Sequence, residues 1–181
     1  VVALQFHRCC LGNNQRPFQF LDGSRYPPEE ARPQDVFVVG NDGAIWSAYQ
    51  VDGSPWIGIQ SPLTPTGLAP PGAGVVAMRR SDLQLDVFVV DGFGAINTIF
   101  SAWEAANNRW SGWHGPIQLT GPGFVPPGGH LAGAMRNPLW QDLSTVAYDG
   151  AFWTTFEFNN GAWLPPISLA SLLGAPNFNG G

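Results

Sequence analysis

The 181-residue chain contains no lysine, and its eight arginines face thirteen Asp and Glu residues. Charged residues amount to 12%, about half the roughly 25% of an average soluble domain. A nucleic-acid or anionic-membrane binder needs a cationic surface to displace counterions, so a net charge of −5 without a basic run argues against both partners. Cysteine is as scarce. Cys9 and Cys10 are adjacent, so they cannot staple distant segments, and they are too few for a metal site of recognisable spacing; they read as two ordinary thiols. No apolar run approaches the roughly 18 residues of a membrane span, so the chain reads as soluble, without membrane insertion. The chain has no initiator Met and no signal peptide, and reads as processed or as part of something longer.

Catalytic signatures are missing as well. Glycan-cleaving enzymes need two carboxylates roughly 5 to 10 Å apart, yet Glu29, Glu30, Glu104 and Glu157 sit in no repeated or recognisable setting. The S-x-D-x-G-x-x-W box of sialidases, H-E-x-x-H and G-x-S-x-G are all absent, and His7, His114 and His130 are scattered as surface or linker residues. The expectation is a non-enzyme with no catalytic residues, no metal and no cofactor.

What the chain does have is repetition. DVFVVDGFGAI from Asp86 to Ile96 recurs as DVFVVGNDGAI from Asp35 to Ile45 and as DLSTVAYDGAF from Asp142 to Phe152. Each copy runs from an Asp through an apolar stretch to a turn Gly, Gly43, Gly94 or Gly150, with spacings of 51 and 56 residues between them. First strands are expected at Val1–Arg8, Val75–Arg80 and Leu131–Arg136, second strands at Asp35–Val39, Leu85–Val90 and Leu143–Tyr148. Third strands follow at Ala44–Gln50, Ala95–Ala102 and Ala151–Phe158, and fourth strands at Trp56–Leu63, Trp110–Leu119 and Trp163–Leu169. Pro-Pro-Gly linkers at Pro70–Gly72 and Pro126–Gly128 separate the units. The 23 Gly and 17 Pro suit short strands joined by turns and suit helices badly.

Four strands in about 50 residues fits one blade of a β-propeller. The fold expected is therefore all-β, a β-propeller of four-stranded antiparallel blades of which this chain shows three. Residues 1–64 form blade 1 with a surface insertion over 9–34, residues 65–120 a linker and blade 2, and residues 121–169 a linker and blade 3. Residues 170–181 begin a further linker or tail. Propellers close with roughly four to eight blades, and three would leave two apolar faces exposed. The ring is thus expected to be partial, completed by a homo-oligomer or by additional blades of a longer chain.

The repeated Trp residues carry two readings. Trp46 and Trp153 stand three residues after the turn Gly, where Asn97 holds the place in the middle unit; Trp56, Trp110 and Trp163 open the fourth strands. A repeated ring fills gaps between blades; alternatively, rings at groove mouths offer flat faces to the C–H side of a sugar. One recurring Trp per blade is read as structural, and Trp103 and Trp113 as exposed. Arg79, Arg80 and Arg136 end first strands, with Arg8 as a further counterpart. An Arg fork binds adjacent hydroxyls or pairs with Asp35, Asp86 or Asp142, and for the arginines both roles stay open.

The D-V-F-V-V strand, the D-G or F-G turn, the W-x-G-W fourth strand and the P-P-G linker together resemble the PLL-like β-propeller lectins known from Photorhabdus. The resemblance covers Val75–Leu119 best, Asp35–Val76 well and Leu131–Leu169 more loosely, and leaves out Cys9–Gln34. It implies a seven-bladed propeller that binds fucose or related sugars in pockets between blades without metal, and an extracellular, secreted location is expected. The expected sugar-binding residues are Trp103, Trp113, Trp110, Trp56, Trp163, Arg79, Arg80 and Arg136, and the expected partners are glycans or glycoconjugates. A non-catalytic targeting propeller of a larger secreted protein or toxin is the alternative.

Overall fold

The computed structural model describes residues 4–5, 33–51, 53–58, 61–80, 83–107, 109–159 and 161–169. Cys9, Cys10, Arg8, His7, Glu29, Glu30, nearly all of the 9–34 stretch and the 170–181 tail lie outside those residues. Sheet 1 orders β1 (Leu4–Gln5), β2 (Pro33–Val39), β3 (Ile45–Val51) and β4 (Ile57–Gly58) side by side. Sheet 2 contains β5 (Val75–Arg80), β6 (Gln84–Val90), β7 (Ile96–Glu104), β8 (Arg109–Trp110) and β9 (His114–Gln118), the last two both pairing with β7. Sheet 3 repeats the first order with β10 (Leu131–Asn137), β11 (Trp140–Val146), β12 (Phe152–Phe158) and β13 (Ile167–Ser168). Every pairing is antiparallel, so each sequence repeat folds as one up-and-down sheet. The described residues form no closed ring. No helix among them is long and apolar enough to cross a membrane.

Sheet 2 buries both faces, which explains why its D-V-F-V-V strand is apolar at successive positions. Alternation sends Val87 and Val89 toward Phe37, Val39 and Ile45 of sheet 1. The intervening Phe88 and Val90 pack with Leu143 of sheet 3. Two cores result, one at each junction. Each carries the same edge-to-face aromatic pair: Phe37 with Trp113 at 5.6 Å and Phe88 with Trp163 at 5.3 Å between ring centroids.

The turn glycines are required by the backbone. Gly43, Gly94 and Gly150 have φ of 74°, 80° and 73°, and a Cβ on Gly94 would lie 2.2 Å from the Val125 carbonyl oxygen. That close approach exists because each linker hooks back onto its own turn, Ala69 N donating to Gly43 O at 3.0 Å and Val125 N to Gly94 O at 2.9 Å. The same linkers then reach the next sheet, where Leu68 O accepts from Gly92 N and Phe124 O from Tyr148 N at 3.0 and 3.1 Å. Thr64 and Thr120, both buried, accept the backbone N–H of Ile45 and Ile96 at 2.9 Å. The linker residues just before Pro-Pro-Gly therefore join sheet to sheet through repeated hydrogen bonds.

Fourth strands differ from expectation. Among the described residues, Trp56–Leu63 forms a ladder only at Ile57–Gly58, Trp163–Leu169 only at Ile167–Ser168, and Trp110–Leu119 divides into β8 and β9. Proline lacks the N–H that a ladder needs, and Pro165 and Pro166 delay β13. In sheet 2 Ser111 binds Ala102 through backbone and side chain, after which the chain turns Trp113 into the junction with sheet 1. Strand β11 starts at Trp140, three residues before the expected Leu143, because Asn137 and Trp140 close a tight hairpin. It stops at Val146, since Tyr148 is held in the turn by Phe124 O.

Candidate functional site

The longest strand among the described residues, β7, carries much of the chemistry into the gap between sheets 1 and 2. It runs past the core to Glu104, turns through a 3-10 segment at Ala105–Asn107 and returns as β8. Glu104 holds this hairpin, accepting from Asn107 Nδ2 at 2.8 Å and Arg109 Nε at 3.3 Å, and both bonds hold its carboxyl below the ordinary value. Trp103 and Trp110 are cross-strand partners whose rings meet edge to face at 6.0 Å. The Arg79 guanidinium lies over the Trp110 ring, 5.6 Å from its centroid, and Trp110 stays 39% exposed. Across the gap, Asp35 shares the sheet 1 face of Phe37 and of its cross-strand partner Tyr49. Burial pushes the Asp35 carboxyl up, and the positive charge of Arg79 pulls it partly back. The arrangement combines a flat indole face, a guanidinium fork and a carboxyl, groups able to take an apolar C–H surface and vicinal hydroxyls.

The gap between sheets 2 and 3 is built differently. Arg80 bonds Glu157 of sheet 3 through Nη2 and lies 3.5 Å from Asp86 through Nε. Asp86 also accepts from Gln84 Nε2 at 2.9 Å and from Gln141 Nε2 at 2.8 Å. Asp86, Gln141 and Glu157 are all buried, and Gln141 Oε1 and Glu157 Oε1 accept no hydrogen bond from the described residues. Burial lowers the Arg80 pKa and the charge of Asp86 raises it again. The two carboxylates here serve one arginine inside the protein, which is no setting for acid-base work on a glycosidic bond.

The eight expected sugar-binding residues thus separate. Arg79, Trp103 and Trp110 come together; Arg80 joins the buried network. Arg136 is on the outer face of sheet 3, bonded to Asp142 at 2.7 and 2.8 Å and lying 4.6 Å from the centroid of Trp140. Trp56 stands exposed just before β4 on sheet 1. Trp113, expected exposed, is half-buried on Phe37, and Trp163 matches Trp113 in its packing rather than Trp56 and Trp110 as its fourth-strand position suggested. Trp103 is likewise half-buried. Sequence reasoning missed Asp35 and Tyr49 as site residues, and it missed Trp140 beneath Arg136 on the outer face of sheet 3. The strand alternation that puts Asp35 and Phe37 on one face was the available signal for the first.

No protein-family model matches the chain, and no curated protein matches it. Among solved structures, the crystal structure of BP39L lectin from Burkholderia pseudomallei is similar, with a TM-score of 0.67 and 35% sequence identity. The match covers 76% of this chain and 37% of that one, so the chain spans little more than a third of the lectin's length. The chain therefore shares an all-β, lectin-type fold with BP39L.

Proposed function

We propose that this chain is a non-catalytic carbohydrate-binding protein, a three-blade section of a β-propeller lectin of the PLL-like kind that recognises fucose or a related monosaccharide. The observation that carries this reading is the likeness to BP39L lectin at 35% identity. The gap between sheets 1 and 2 supplies suitable chemistry: a sugar lays its C–H face on Trp110 and directs hydroxyls to Arg79 and Asp35. Each sheet is then one blade, and secretion into a glycan-bearing environment follows from the role.

Ring completion belongs to the same proposal. The outer face of sheet 3 exposes Val146, Phe152 and Phe158, large apolar side chains that a further blade would cover. That blade comes from a second copy of the chain or from a longer polypeptide. A glycan array is the direct test: binding to fucosylated, galactosylated or GlcNAc-terminated glycans is expected, and binding to none of them overturns the proposal. Solution mass tests closure, and a well-behaved 19.5 kDa monomer would contradict it.

A further inference from the structure

We infer that the two inter-sheet gaps are not equivalent: the one between sheets 1 and 2 takes the saccharide, and Glu157 closes the other from within. This rests on the carbohydrate reading above. Counted from Gly94 and Gly150, Ser101 and Glu157 occupy the same place in their sheets, as do Trp103 and Asn159. Arg79 and Met135 also correspond, each one residue before the arginine that contacts its sheet's Asp, Arg80 with Asp86 and Arg136 with Asp142. Facing sheet 1, sheet 2 thus presents a cation, a short hydroxyl and an indole. Facing sheet 2, sheet 3 presents a thioether and a long carboxylate, and Asn159 lies in the turn after β12 with φ 57°.

The consequence lies in reach. Ser101 is short and donates within its own sheet, to Ser111 O at 2.9 Å. Glu157, 1% exposed, spans the gap to Arg80 on the neighbouring sheet. Asp35 and Arg79 also face each other across the first gap, but both are half-buried beside the exposed Trp110, where a hydroxyl can exchange with them; a hydroxyl entering the second gap would have to displace a fully buried, charge-paired Glu157 and leave a buried anion without its cation. The carboxylate therefore occupies the polar position a ligand would need.

Indole N–H signals of the intact ¹⁵N-labelled chain, titrated with L-fucose, D-galactose and N-acetylglucosamine in turn, separate the outcomes. The inference expects Trp103 and Trp110 to shift and Trp163 to stay fixed. Shifts of Trp163 as large as those of Trp103 and Trp110 overturn it while leaving carbohydrate binding standing. Glu157→Ser, if folded, is expected to add a Trp163 response, and a folded variant without that response overturns the closing role of Glu157. Because that variant loses a buried partner of Arg80, Ser101→Glu gives the converse test: in the folded variant the Trp110 response should disappear, and retained binding overturns the inference, while the wild-type comparison of Trp163 with Trp110 stands whether or not either variant folds. No indole response to any sugar, together with a blank glycan array, overturns the carbohydrate reading itself.

Discussion

Asn97 donates from Nδ2 to Asp91 Oδ2 at 2.8 Å, and this pair does in sheet 2 what Trp46 and Asp42 do in sheet 1. Trp46 Nε1 reaches Asp42 at 3.1 and 3.2 Å, and Trp153 Nε1 reaches Asp149 at 3.2 and 3.1 Å. When the acceptor stands one residue before the turn Gly, an indole reaches it; when it stands three before, the shorter amide does. The Trp-to-Asn change in the middle repeat is therefore matched by a moved aspartate. A Cβ on Gly40 would meet the Trp46 ring at 2.9 Å, and sheet 3 carries Ala147 at the same place beside Trp153, so the indole goes with a small residue where sheet 2 has Asp91.

Asn97→Trp alone should consequently destabilise the chain by about 1–3 kcal/mol through overpacking. Adding Asp91→Gly and Phe93→Asp, which rebuilds the sheet 1 arrangement, should recover most of the loss. Urea unfolding of the single and triple variants measures both.

Asp91→Ala should cost about 3 kcal/mol or more, since it removes the acceptor of Phe93 N, Ala95 N and Asn97 Nδ2 together, two of them in buried surroundings. Leu83→Ala, at an exposed hairpin position, serves as the comparison and should change unfolding little.

Gly94→Ala combines a positive φ with a clash against the Val125 carbonyl, whereas a Cβ on Gly53, at φ 73°, would meet nothing within 4 Å. Gly53→Ala should cost about 1 kcal/mol and Gly94→Ala clearly more. Thermal unfolding of the two variants gives the order.

The aromatic positions should divide by role. Trp113→Ala opens the junction with Phe37 and should lower stability by about 2–4 kcal/mol, while Trp110→Ala should leave stability within about 1 kcal/mol and abolish most glycan binding. Equal losses of stability from the two would contradict the assignment.

Two aspartates should pull stability in opposite directions with pH. The lowered Asp42 carboxyl, held by Ala44 N–H and the Trp46 indole, contributes stability above its ordinary 3.8 that is lost as pH falls through the folded-state value. The raised Asp35 carboxyl contributes below 3.8, and its contribution is lost as pH rises through the folded-state value. Asp35→Asn should flatten stability on the rising side and Asp42→Asn on the acid side, as measured by unfolding across pH 2 to about 7.

Much of the architecture was legible because it is local and repeated. The strand Val75–Arg80 falls at its expected bounds, β6 starts one residue early, and the three turn glycines all adopt positive φ, since backbone preference and alternation act over a few residues. The fourth strands were not legible: the sequence pattern makes Trp110 the recurring fourth-strand residue and Trp113 an extra, exposed one, yet Trp110 stands on β8 partly exposed and Trp113 turns into a core. Arg79 and Arg80 are sequence neighbours with opposite destinations, one over Trp110 and one on Glu157, because adjacent strand residues point to opposite faces.

The amino-acid sequence by itself determined three copies of an all-β unit, the Asp-to-Gly turn that closes each hairpin, and the absence of a basic surface. Which groove holds indoles and which is sealed by a carboxylate was decided by tertiary structure alone. Ser101 and Glu157 differ by one side chain at one repeat position, and that difference acquires meaning only across the gap, where Arg80 of the neighbouring sheet waits within reach of the longer one.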